Sequence, residues 1–112
     1  MIRPEFRSTS RYSREAVALL GQLIRRARIE REMTAGELAT RAGTSRGLVQ
    51  RVEKGDPGCA IGTVFELGAI VGVRLFDADQ PALTGAISAN TAMLTLLPKA
   101  VRASRAELKD EF

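Results

Sequence analysis

The 112-residue chain has no histidine, no tryptophan and a single cysteine. Without histidine it lacks the commonest general acid/base and the commonest metal ligand. A lone Cys59 builds neither a disulfide nor a thiolate cage, so no metal or other cofactor is expected, and most familiar catalytic constellations are excluded. The chain is therefore not expected to be an enzyme. No stretch approaches the roughly 20 consecutive apolar residues of a membrane span. The N-terminus, MIRPEFRSTSR, is polar and basic rather than signal-like. A cytoplasmic location is expected, and one thiol agrees with a reducing compartment. No internal repeat is visible.

What is present suffices for one compact domain with a short appendage. Hydrophobic residues make up 45% of the chain, and a chain of this size buries roughly two-thirds of the surface its unfolded form exposes. The net charge of +4 is modest, but it is unevenly placed. Residues 1–31 carry eight Arg and three Glu, residues 32–58 balance, and residues 59–97 are net −2. Fourteen of the 17 basic residues are Arg, whose planar fork suits phosphate and guanine edges. That excess fits nucleic acid, and it fits the codon usage of a GC-rich genome equally well.

Residues 1–12, with Pro4 and a Ser/Thr cluster, read as a basic N-terminal arm. A first helix follows with Ser13 as its cap and with Val17, Leu20, Ile24 and Ala27 along one face. Thr34-Ala35-Gly36-Glu37 is a capping box, so a second helix starts there and stops at Gly43. Ser45 caps a third helix from Arg46 to about Lys54, with Val49 and Val52 inward and Gly55 as its stop. Two short helices joined by so tight a turn must cross steeply. A fourth helix spans about 62–71, and Arg74 to Gln80 reads as a turn or short helical piece with Leu75 and Phe76 inward. Pro81 opens a fifth helix to Leu97, with Leu83, Ile87, Leu94 and Leu97 as a stripe; residues 91–97 also fit a strand. A segment with so few charges usually hides against something, and a symmetry mate is the simplest candidate. Residues 98–112 read as a flexible charged tail. The domains expected are thus a basic arm 1–12, a helix-turn-helix domain 13–80, a dimerisation helix 81–97 and a tail 98–112.

The segment Met33 to Gly55, MTAGELATRAGTSRGLVQRVEKG, resembles the helix-turn-helix of the XRE, or lambda-repressor-like, family of bacterial regulators. Ala39 stands where the two helices pack closest, Gly43 at the turn, and Leu38, Val49 and Val52 at buried positions, with Glu-Lys-Gly closing the motif. The likeness covers about residues 14–76 and implies an all-α, five-helix DNA-binding domain. In such motifs the second helix lies in the major groove while the first crosses the backbone. On this resemblance Arg46, Gly47, Gln50 and Arg51 face bases, while Thr34, Thr44 and Ser45 meet phosphate. Arg28 and Glu53 match positions that form an ion pair tying helix 1 to helix 3.

Some positions depart from the family pattern. Ala35 stands where relatives often carry Gln reaching a phosphate, and the loop from Asp56 to Cys59 lacks basic residues. Arg3, Arg7 and Arg11 of the arm can compensate on phosphate or in the minor groove. Gly47 fits a close approach of backbone to DNA, and equally a position of no consequence. Cys59 reads as a small loop residue rather than a redox sensor.

The resemblance implies a dimeric transcriptional repressor. Among XRE proteins, the run from Gly55 to Asp79 and the tail from Leu97 onward are most like HipB-type antitoxins, which implies autoregulation and a HipA-type kinase toxin as partner. The alternative is a protein-interaction adaptor that uses the same scaffold and the C-terminal helix without specific DNA binding.

Overall fold

A computed structural model describes residues 9–101; Arg3 and Arg7 of the expected arm, and most of the expected tail, lie outside them. The chain divides into two compact units, the first ending at Asp77 and the second starting at Ala78. The first unit holds α1 (Arg11–Glu30), α2 (Ala35–Ala42), α3 (Arg46–Glu53) and α4 (Ile61–Ile70), followed by a 3-10 turn, Leu75–Asp77. The second holds α5 (Gln80–Thr95), and there is no strand among the described residues.

The first unit closes around one apolar cluster. Ile24 of α1, Leu38 of α2, Val49 of α3, Leu67 of α4 and Val71 just beyond it are fully buried, with Met33, Ala39 and Val52 beside them. Each such aliphatic side chain contributes about 1.5–3 kcal/mol by leaving water. Helix α3 packs on both α1 and α2, and α2 also packs on α4. The α1–α3 approach depends on a residue that the apolar periodicity does not mark. A Cβ at Gly21 would run into the Val52 carbonyl oxygen, so the two backbones are almost in contact there.

Three expectations are corrected. Helix α1 is capped by Ser10, whose Oγ accepts the Ser13 N–H at 3.1 Å, and not by Ser13. The earlier start gains an Arg11–Glu15 ion pair at 3.0 Å across one helical turn, so Arg11 is a helix residue and not part of an arm. Phe76 does not point inward. It and Asp77 take left-handed φ of 57° and 52°, and the Phe76 ring is turned out to 81% exposure, touching Phe65 edge-on at 6.2 Å. Finally, α5 ends at Thr95 with Leu96 as its C-cap, which leaves Leu97 outside the helix and the strand reading of 91–97 unfilled. Pro98 explains the stop, because its ring disfavours helical backbone in the residue before it.

Candidate nucleic-acid interface

Helices α2 and α3 are each only eight residues long, so their ends are fixed by side chains rather than by length. At the start of α2 the Thr34 Oγ1 accepts the Glu37 N–H at 3.0 Å, and Glu37 Oε1 accepts the Thr34 N–H at 2.8 Å. Hydrogen bonds from the Thr34 backbone and then its side chain hold the Glu37 carboxyl below the usual glutamate range. At the end of α2, Gly43 takes φ 69°, ψ 33°, and the Thr44 N–H reaches back to the Ala39 carbonyl at 2.9 Å. This left-handed stop turns the chain within two residues. Ser45 then starts α3, its Oγ accepting the Leu48 N–H at 3.1 Å.

Helix α3 has two distinct sides. Val49, Val52 and Glu53 are buried, whereas Arg46, Gly47, Gln50, Arg51 and Lys54 are exposed. Among the described residues Arg46 makes no ion pair, and its stem lies over the first turn of α2, where a Cβ on Gly36 would stand 4.0 Å from Arg46 Cδ. Among the described residues an added Cβ at Gly47 would meet only Ser45 Oγ, at 3.9 Å, so packing between them does not require glycine there. Arg51 is held by the following loop, its Nε donating to Asp56 Oδ2 at 2.8 Å. Thr34 and Ser45 are exposed and Thr44 is half-buried beside them.

The position of α3 is fixed from behind. Arg28 donates through Nε to Glu53 Oε2 at 2.7 Å, through Nη2 to Glu53 Oε1 at 2.9 Å, and through Nη1 to the Met33 carbonyl at 2.9 Å. The Arg28 and Glu53 side chains are only 12% and 5% exposed, and the hydrogen bond to Glu53 raises the guanidinium pKa further above its ordinary value. One guanidinium thus ties α1, the α1–α2 link and α3 together.

Arg25 and Lys54, which the helix-turn-helix resemblance does not single out, also belong to this surface. With Arg28, Ala35, Gln50 and Glu53 they line a hollow beside the start of α2, where the small Ala35 leaves room. Their signal is spacing: Lys54 follows Gln50 by one helical turn, and Arg25 precedes Arg28 by three residues. Among the described residues no cluster of carboxylates or thiols is arranged to hold a metal. Cys59 is half-buried against Val17, Leu20 and Val64 in an apolar groove, and burial pushes its thiol pKa up. In the second unit, Leu83 of α5 is half-buried, while Ile87, Leu94 and Leu97 are exposed.

Two short capped helices joined through a left-handed glycine, the second with a buried side and an arginine-bearing exposed side, constitute a helix-turn-helix. The family model described as a helix-turn-helix domain matches residues 19–76, just over half of the chain, and the chain belongs to that family. With no strand among the described residues, its fold is the all-α, lambda-repressor-like one. No match was found among curated proteins or solved structures. No helix among the described residues is long and apolar enough to cross a membrane.

Proposed function

We propose that the protein is a sequence-specific transcriptional repressor that binds duplex DNA as a homodimer. The observation that carries this reading is the exposed side of α3, where Arg46, Gly47, Gln50 and Arg51 form one patch on a helix otherwise locked into the core. Arg46 and Arg51 suit guanine O6/N7 and Gln50 suits adenine N6/N7, each good bidentate pair giving roughly 1–3 kcal/mol of discrimination. Gly47 lets the helix backbone approach the groove closely. Thr34 and Ser45 use an oxygen lone pair as caps and keep a hydroxyl hydrogen to donate to phosphate, as does Thr44. Arg25 and Lys54 take the place of the phosphate contact that Ala35 gives up, and Arg3 and Arg7 add to it from the arm.

The face Leu83, Ile87, Leu94 and Leu97 forms the dimer interface. A two-fold dimer sets its two α3 helices about 34 Å apart, or a multiple of that, and so matches a pseudo-palindromic operator. The likeness of residues 55–79 and of the tail from Leu97 to HipB-type antitoxins supports a role as the autoregulating partner of a HipA-type kinase toxin.

Selection of bound sites from a random duplex pool, followed by salt titration, tests the reading. A site recovered with two-fold symmetry and a log–log salt slope of about −0.9 per phosphate engaged is the expected result. Affinity confined to the non-specific range of roughly 10⁻⁴ to 10⁻⁶ M on every duplex would leave the adaptor reading instead. A kinase-like product of the adjacent reading frame that co-purifies with the chain supports the antitoxin role, and its absence removes that role alone.

A further inference from the structure

Among the expected base readers, Arg51 is the one that the folded chain already holds. Its Nε donates to Asp56 Oδ2 at 2.8 Å, whereas Arg46 and Gln50 make no side-chain hydrogen bond among the described residues. The acceptor is itself held twice. Asp56 Oδ1 accepts the Gly58 N–H at 2.7 Å, and the Asp56 N–H donates to the Arg51 carbonyl at 3.0 Å, where α3 ends. A Cβ on Gly58 would stand 3.2 Å from Asp56 Oδ1, close enough to push that oxygen by a few tenths of an ångström, and 3.7 Å from Arg51 Nη2, an ordinary contact, so a side chain there would crowd the Asp56 carboxylate.

A guanidinium has five donors, and the Asp56 bond uses only the one on Nε. The four N–H groups on Nη1 and Nη2 have no hydrogen-bond acceptor among the described residues. Two of them, one from each nitrogen, form the end-on fork that matches guanine O6 and N7. Pairing through Nε therefore restricts the side chain without consuming the fork. Both partners remain charged, since each draws the other's pKa away from neutrality.

Resting on the DNA-reading role of α3, we propose that Asp56 is a positioning residue that clamps Arg51 through Nε and presents its Nη1/Nη2 fork, preorganised, to a guanine. Asp56 makes no contact with DNA in this arrangement. Its charge by itself repels phosphate, which gives the proposal an unusual signature: neutralising it should strengthen binding to DNA in general while weakening it at one base pair.

The test uses the full chain and three duplexes: a site recovered from the random pool, the same site with the base pair read by Arg51 replaced, and an unrelated duplex. Relaxed preference in Arg51→Ala identifies that base pair. For Asp56→Asn the preference for the recovered site over the replaced one should fall about tenfold, a typical coupling between contacting residues, while affinity for the unrelated duplex holds or rises. In the Arg51→Ala background the same change should leave the preference unaltered. Gly58→Ala, which keeps both charges but crowds the pair, should reproduce the loss, and thermal melts of each variant show that it is folded.

Equal strengthening on all three duplexes in Asp56→Asn would overturn the proposal, because Asp56 would then compete with DNA for Arg51. A loss of preference that persists without Arg51 would also overturn it, because the loop would then act by another route. If the wild-type chain shows no preference among duplexes, the DNA-reading role fails and takes this clamp with it. A selective wild type with an indifferent Asp56→Asn fails the clamp alone.

Discussion

Glu32 closes α1 in a left-handed conformation, φ 54°, with its N–H donating to the Ile29 carbonyl and the following Met33 N–H donating to Arg28. This is the helix stop that Gly43 makes for α2, built here with a side chain that disfavours it. Glu32→Gly should therefore raise stability by about 0.5–1 kcal/mol, read as a shift of the urea midpoint without a change in slope. Arg28 carries the opposite risk. With Glu53 only 5% exposed, Arg28→Ala strips the buried carboxylate of both its close hydrogen bonds and leaves it only the exposed Arg25, whose Nε stands 3.9 Å from Glu53 Oε1, so it should cost about 3 kcal/mol in the same measurement. Replacing both, as Arg28→Met with Glu53→Leu, should recover much of that loss, because an apolar pair of similar volume carries no desolvation penalty.

At the scale of the element, the helix-turn-helix was the most legible part of the chain. Thr34 with Glu37, Gly43, and Ser45 are side-chain or backbone devices written into three or four consecutive letters, and each appears in the structure where its local chemistry places it. The start of α1 is less legible, because Ser10 and Ser13 can both cap and the contacts that go with the earlier start, Arg11 with Glu15 and Arg14 with the Thr9 carbonyl, carry no mark in the apolar pattern. Phe76 was misread because apolar periodicity assumes ordinary backbone, and two successive left-handed residues turn the ring to the outside. The exposed residues of α3 follow from helical spacing once Val49 and Val52 are placed inside. The Arg51–Asp56 pair does not, since it joins residues five apart across a helix end. Gly21 was likewise silent, because close approach of two backbones leaves no hydrophobic mark.

The capping box also gives α2 a pH dependence. The folded-state pKa of Glu37 lies below its unfolded value, so its contribution is present above the ordinary glutamate pKa of about 4.3 and is lost as pH falls through the folded value. Asp56, lowered by Arg51, acts in the same direction. Chemical denaturation from pH 6 down to pH 3 should show declining stability, with a shallower decline in Glu37→Gln; identical slopes would exclude a contribution from the box.

At the scale of the whole molecule, composition separates the two units. The first buries a core and carries the basic surface. The second contains a 16-residue helix with no charged side chain and no buried residue, and with Ile87 and Leu94 each 67% exposed. Water is a poor neighbour for such a helix. If its stripe is the dimer interface, Ile87→Asp with Leu94→Asp should leave the melting of the first unit nearly unchanged while shifting sedimentation to the monomer. Operator affinity should then fall to that of a single half-site. A variant that still sediments as the wild type does would move the interface elsewhere.

Held to α1, to the α1–α2 link and to the core at once, α3 cannot tilt or slide without uncovering Glu53. In a DNA-binding protein a reading helix locked in this way leaves the duplex to take up any misfit. If α3 reads DNA as proposed, base steps that no side chain touches should enter site preference through their stiffness, with flexible pyrimidine–purine steps favoured wherever the double helix has to bend.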